Sequence, residues 1–365
     1  MPTRRRVLVV DDSITVRKHI VKVLAADPEI EVVGEASDGR TAIEQCRRLR
    51  PDVMTLDMMM PHATGLEVTE QVMGYFPTPI LIVSASFNRG EAVKTLDALA
   101  AGAVDVLDKP RSAAFDPDWE STLCRTVKVI SRVPVITHPR ARLAGGQFPS
   151  RSSRPPAVAP WSAPRVDAAT APALVAIGAS TGGPAALVEI LRELPGSFPT
   201  PIVIVIHMSR AFLGPFVEWL DGHTALTVRV VKDGELLSRL GPGTAVVAPA
   251  DRHLLLRGQR LQLNDGPERH SCRPSIDVLF ESIAHELGPD AIGCLLTGMG
   301  RDGASGLHAM LRAGARTLAQ DEASSVVYGM PRHAAAIGAA EQVLDLGEFA
   351  PTLRTLCERR GSPTS

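Results

Sequence analysis

Long apolar runs, net charge and paired cysteines are all scarce in this chain of 365 residues, and each scarcity removes a class of protein. No apolar stretch approaches bilayer-spanning length, so membrane insertion is not expected. The basic start, Met1-Pro-Thr-Arg-Arg-Arg6, meets only four apolar residues before Asp11 and Asp12, too few for a signal-peptide core. A cytoplasmic protein is the expectation. Lys+Arg 39 against Asp+Glu 40 leaves a formal charge of -1, which implies no nucleic-acid partner. The five cysteines, Cys46, Cys124, Cys272, Cys294 and Cys357, are scattered, odd in number and form no CxxC pair. They suit a reducing compartment and supply neither a disulfide framework nor a zinc site. No repeat of fixed period joins the two halves.

What the chain does have is 45% hydrophobic residues and a length beyond one ordinary core, which together predict two globular domains. From Val7 to about Val133, apolar runs alternate with helical patterns. Val7 to Val10, Glu31 to Glu35, Val53 to Leu56, Ile80 to Val83 and Val104 to Leu107 read as strands of a doubly wound α/β domain. Prolines, arginines, serines and alanines then dominate up to Pro172, as in a semi-extended linker. Strand patterns resume at Ala173 to Ile177, Ile202 to Ile206, Thr244 to Val247, Ala291 to Leu296 and Thr317 to Ala319. The predicted boundaries are 5–130, 131–172 and 173–358, and the predicted class is α/β with two doubly wound parallel-sheet domains.

In a parallel sheet the carboxyl ends of the strands share one edge. Asp11 and Asp12 follow the first predicted strand, Asp57 the third, Ser84 the fourth and Lys109 the fifth, so all five are expected around one crevice. Three crowded acids repel unless a hard cation such as Mg²⁺ sits among them. Beside such a cation Asp57 can take a phosphoryl group whose oxygens Lys109 and Ser84 would meet. Any one of these five residues alone reads more readily as a helix cap or turn residue. As a set, they resemble the receiver domain of two-component response regulators. The resemblance implies a flavodoxin-like fold, Asp57 as phosphoacceptor, Asp11, Asp12 and Asp57 around Mg²⁺, and Ser84 with Lys109 as the phosphate-sensing pair. It also implies a cis bond at Lys109-Pro110. The chain departs from the family at Met60-Pro-His-Ala-Thr-Gly65, which lacks one acid, and at Val106, where an aromatic switch residue is common.

The second half turns on Val175-Ala-Ile-Gly-Ala-Ser-Thr-Gly-Gly-Pro184, a Gly-rich turn between a buried strand and a helix beginning at Pro184. Free N–H groups and the helix dipole favour either a phosphate or a developing oxyanion there, and the loop alone does not choose. The other strand ends do. Ile206 is followed by His207, and Leu296 by Thr297-Gly-Met-Gly-Arg-Asp302. A serine, a histidine and an aspartate, each just past a buried strand, form the set in which imidazole takes the hydroxyl proton and a carboxylate fixes its tautomer.

Gly178 to Pro184, His207-Met208, Ala248-Pro249, Arg273-Pro-Ser275, Leu296 to Gly300 with Asp302-Gly303, and Gln320-Asp321 leading to Val327 through Arg332 resemble the CheB-type chemotaxis protein-glutamate methylesterases. The resemblance implies a Rossmann-like serine esterase, with Ser180 as nucleophile, His207 as general base then acid, Asp302 as orienting carboxylate and the Met299 N–H among the oxyanion donors. It implies methyl-ester hydrolysis and glutamine deamidation on chemoreceptors without a cofactor for the esterase, phosphorylation by a chemotaxis histidine kinase, and a monomer. It also implies a receiver that packs over the esterase crevice until Asp57 is phosphorylated. Ile206 stands where the family usually has glutamine. Arg273-Pro274-Ser275 and the run from Gln320 to Arg332 read as substrate-lining or structural.

Overall fold

The structure, a computed structural model, describes residues 4–85, 89–109, 116–133, 135 and 172–357. Most of the expected linker and the Lys109-Pro110 bond lie outside these residues. The first domain runs β1 (Arg5–Val10), α1 (Ile14–Ala26), β2 (Ile30–Ala36), α2 (Gly39–Leu49), β3 (Val53–Leu56), α3 (Gly65–Tyr75), β4 (Ile80–Ser84), α4 (Arg89–Ala100), β5 (Asp105–Asp108) and α5 (Pro117–Ile130). Its five strands pair in parallel in the order β2-β1-β3-β4-β5. Caps punctuate the helices where short polar residues precede them. Ser13 and Asp38 accept from Val16 N and Thr41 N, and Thr64 with Glu67 closes a reciprocal capping box on α3.

The second domain adds β6 (Leu174–Ala179), α6 (Gly183–Arg192), β7 (Ile202–Ile206), α7 (Arg210–His223), β8 (Thr227–Val230), β9 (Glu235–Leu236), β10 (Thr244–Val247), β11 (His253–Arg257), β12 (Arg260–Asn264), α8 (Ile276–Glu286), β13 (Ala291–Leu295), α9 (Ala304–Arg312), β14 (Arg316–Gln320), α10 (Met330–Ala336), β15 (Gln342–Leu344) and α11 (Phe349–Cys357). Seven strands form a parallel sheet in the order β15-β14-β13-β6-β7-β10-β8. A small antiparallel sheet, β11-β12-β9, stands apart. The central strands β6, β7 and β13 are buried along their whole length, as strands covered by helices on both faces must be. Among the described residues, no helix is long and apolar enough to cross a membrane.

The two domains touch. Helix α4 lies against α6 and α7, and Leu96 and Leu99 share one buried apolar cluster with Leu213, Phe216 and Val217. The Trp219 indole Nε1 donates to Asp97 Oδ1 across this junction at 2.9 Å.

Candidate active site and phosphoacceptor pocket

Strand order in the first sheet brings the predicted acids together. Asp11 and Asp57 are buried, Asp12 is exposed, and one carboxylate oxygen of each lies within 4.8 Å of the others. Lys109 Nζ bridges Asp11 Oδ2 and Asp57 Oδ2, each at 2.9 Å. Burial pushes the Asp57 carboxyl up to about 6 and Asp11's charge adds to this, while Lys109 pulls it down. Burial likewise raises Asp11 against the pull of Lys109. One ammonium facing three carboxylates leaves surplus negative charge among hard oxygen donors, so this donor set fits a magnesium-type cation. Ser84 is buried at the end of β4, where its carbonyl accepts from Lys109 N at 3.0 Å.

In the second domain Ser180, His207 and Asp302 all emerge at the carboxyl edge of the seven-stranded sheet. Strands β6 and β7 are in register through Ala179 and Ile206, so the next residues, Ser180 and His207, are neighbours, and His207 N donates to Ala179 O at 3.1 Å. The Ser180 turn needs its glycines. Gly182 has φ +78°, a left-handed conformation. At Gly298 an added Cβ would sit 2.6 Å from Ser180 Cβ, so the turn after β13 passes Ser180 too closely for any side chain.

His207 Nε2 and Asp302 Oδ2 are 2.9 Å apart, with Asp302 almost fully buried. Asp302 is itself held from several directions: Oδ1 accepts from Ser275 Oγ at 2.7 Å and Asp277 N at 3.2 Å, and Oδ2 from Ile276 N at 2.7 Å. These amides open α8, so its positive end faces the carboxylate. Burial works to raise the Asp302 carboxyl, but the bonds to His207, Ser275 and Ile276 outweigh it and hold it below its ordinary value. Burial would likewise push His207 down, yet the bond to Asp302 and the contact with Cys272 raise it to about 9. The other ring nitrogen, Nδ1, has Cys272 Sγ at 3.7 Å. No hydrogen bond joins Ser180 to His207, so the structure pairs His207 with Asp302 and leaves the serine alongside.

Several residues around the site carry no signal as isolated letters. Ser275 caps α8 and braces Asp302, which gives the Arg273-Pro274-Ser275 stretch a structural part; its Arg273-Pro274 bond is cis. Gln320 Oε1 accepts from Thr297 N at 2.7 Å, and Thr297 Oγ1 donates to Thr181 O at 2.9 Å. The end of β14 thereby supports the serine turn. Met299 lies half-buried just after Gly298. From the first domain, Asp105 at the start of β5 reaches Thr181, the residue after Ser180: Thr181 Oγ1 donates to Asp105 Oδ2 at 2.7 Å. Burial raises the Asp105 carboxyl, against the pull of that bond.

Comparison with known proteins places these features in families. Residues 175–353 match the family model described as CheB methylesterase, and residues 7–114 match Response regulator receiver domain. The chain is 42% identical over 360 residues to the protein-glutamate methylesterase/protein-glutamine glutaminase of Nitrosospira multiformis, covering 97% of this chain and 98% of that protein. It is 45% identical to protein-glutamate methylesterase/protein-glutamine glutaminase 5 of Anaeromyxobacter dehalogenans, covering 96% of each. The crystal structure of the Thermotoga maritima CheB methylesterase catalytic domain is similar with a TM-score of 0.49 and 34% identity, covering 51% of this chain and 100% of that one.

Proposed function

The chain belongs to the CheB methylesterase family, and from that premise we propose that it hydrolyses glutamate methyl esters on chemoreceptors, and deamidates receptor glutamines, under control of phosphorylation at Asp57. The observation that carries this reading is the His207–Asp302 pair, 2.9 Å apart, at the sheet edge that also presents Ser180. With Nε2 held by Asp302, Nδ1 is the nitrogen that takes the Ser180 proton as the oxygen attacks the ester carbonyl. The Met299 N–H is assigned to the resulting oxyanion. His207 then returns the proton to departing methanol, or to ammonia from a glutamine, leaving an acyl-enzyme. Water loses a proton to Nδ1, attacks the acyl carbon and releases glutamate with Ser180 restored.

The regulatory half follows from the first domain. Residues 5–130 are assigned as receiver, 131–172 as linker and 173–358 as esterase. Asp11, Asp12 and Asp57 would hold the divalent cation, which supplies positive charge to a transferring phosphoryl group. Asp57 accepts that group from a histidine kinase, while Lys109 and Ser84 meet its oxygens. In the closed arrangement Asp105 grips the residue beside the nucleophile, and charge added at Asp57 shifts the population toward an open one.

The test is methanol release from methylated receptor membranes by the full-length protein, with and without a small phosphodonor and Mg²⁺. Release stimulated by phosphodonor is expected, lost in Ser180→Ala and unresponsive in Asp57→Asn. Wild-type release by Ser180→Ala sinks the assignment of the nucleophile.

A further inference from the structure

The imidazole of His207 has two nitrogens, and in the structure neither faces Ser180 through a hydrogen bond. Nε2 belongs to Asp302, whose carboxylate is fixed by Ser275 and the first amides of α8. Nδ1 belongs to Cys272, with Sγ at 3.7 Å. We propose that Cys272 is a positioning residue of this esterase that holds His207 away from Ser180 by occupying the one nitrogen on which serine activation depends. The proposal rests on the serine-esterase reading above.

The placement of the thiol is built rather than incidental. Arg269 and Cys272 exchange backbone hydrogen bonds of 3.1 and 2.9 Å, closing a tight turn. At its tip His270 and Ser271 have φ of +53° and +59°, consecutive left-handed conformations that hairpin turns usually assign to Gly or Asn. Side chains clamp the Arg269 arm and the tip: Arg269 pairs with Glu281 through two nitrogens, and His270 Nε2 lies 3.2 Å from Asp277 Oδ2. The turn therefore holds the Cys272 backbone beside the His207 ring.

The direction of the effect follows from proton counting. A thiol has one proton, and Cys272 Sγ donates to His270 O at 3.4 Å. The sulfur lone pairs are then turned to His207, where they accept from a protonated Nδ1. That arrangement favours imidazolium, the form that cannot remove the Ser180 proton. The raised value of about 9 for His207 agrees, Cys272 being among the groups that raise it. Activation needs the ring to exchange Cys272 for Ser180 on the same nitrogen.

Cys272→Ala and Cys272→Ser distinguish this from a merely structural part. Methanol release is measured on the full-length proteins with phosphodonor and Mg²⁺, resolved into kcat and KM. Alanine frees Nδ1 and is expected to raise kcat about two- to fivefold with KM unchanged, the weight of one weak hydrogen bond. Serine donates to His270 O and accepts from Nδ1 more strongly than sulfur, so its kcat is expected below wild type. A structural role predicts the reverse order, with alanine impaired and serine rescuing; that order, or three equal rates, overturns the proposal. An inactive Ser180→Ala protein alongside three equal Cys272 rates removes the role of Cys272 and leaves the esterase reading standing. Release by Ser180→Ala at wild-type rate removes both.

Discussion

Replacing Thr181 with valine deletes one hydroxyl at the domain junction while keeping the side chain's shape. The hydroxyl donates to Asp105 Oδ2 at 2.7 Å; without it the carboxylate keeps the bond from Val106 N, 2.9 Å from Oδ1. A hydrogen bond contributes about 0.5–1.5 kcal/mol net, and about 1 kcal/mol corresponds to a roughly fivefold shift in the ratio of closed to open forms. In the absence of phosphodonor, Thr181→Val is therefore expected to release methanol faster than wild type, up to the phosphorylated wild-type rate. Asp105→Asn has the opposite expected sign. It keeps an acceptor for Thr181 but has no charge to desolvate, so the closed form gains and unphosphorylated release falls. The pH dependence follows the same logic. Burial raises the docked Asp105 carboxyl, so its contribution to docking is complete below the ordinary carboxylate value and is lost as pH rises through the docked value. Amide hydrogen exchange across α4 and α7 should report that loosening in wild type and not in Asp105→Asn. An unphosphorylated Thr181→Val protein as slow as wild type, or a faster Asp105→Asn protein, would refute this account of the junction.

Further expectations come from the esterase site. Because His207 is raised from 6.5 to about 9 and must be neutral to act as base, release should climb with pH through neutrality and level off above about 9. Asp302→Asn should lower that limb and reduce kcat by about 10³-fold or more; an unchanged pH–rate profile would contradict the pairing. Gly298→Ala should abolish release and lower the Tm, since its Cβ would lie 2.6 Å from Ser180 Cβ and 2.5 Å from Met330 Cε. A Gly298→Ala protein with normal kcat and Tm would show that the turn can move aside.

Both sheets were legible because their central strands are continuous apolar runs, and the strand-end rule then gathered Asp11, Asp57 and Lys109, and separately Ser180, His207 and Asp302, to their respective edges. The strands that escaped are β8, β9, β11, β12 and β15: short, at a sheet edge or in the small antiparallel sheet, where half-exposed positions break the apolar run. The braces of the site are legible only as stretches, Arg273-Pro274-Ser275 and the run from Gln320 reading as substrate-lining or structural. Ser275 and Gln320 act through single long-range hydrogen bonds, to Asp302 and to Thr297, and no periodicity encodes such a bond. Cys272 reads in the sequence as one of five scattered cysteines, since closeness to His207, 65 positions away, arises from a turn whose left-handed residues are not glycines.

Asp105 carries no such signal in the sequence. It opens β5, four residues before Lys109, and an acid at a strand start invites no attention when its partner lies 76 positions further on in another domain. Placed in the fold, however, it makes β5 a short rod with a different chemical contact at each end. The Lys109 end meets Asp57 and Asp11, the Asp105 end meets the serine turn, and the span between is about 13 Å at strand rise. A phosphoryl group carried by Asp57 would compete with Asp11 for the Lys109 ammonium. Leu107 and Val106 are held in register by Val83 and Ile82 of β4, so the strand joins the two contacts as one unit. The strand thus connects the lysine that holds Asp57 to the hydrogen bond at Thr181, the residue after Ser180.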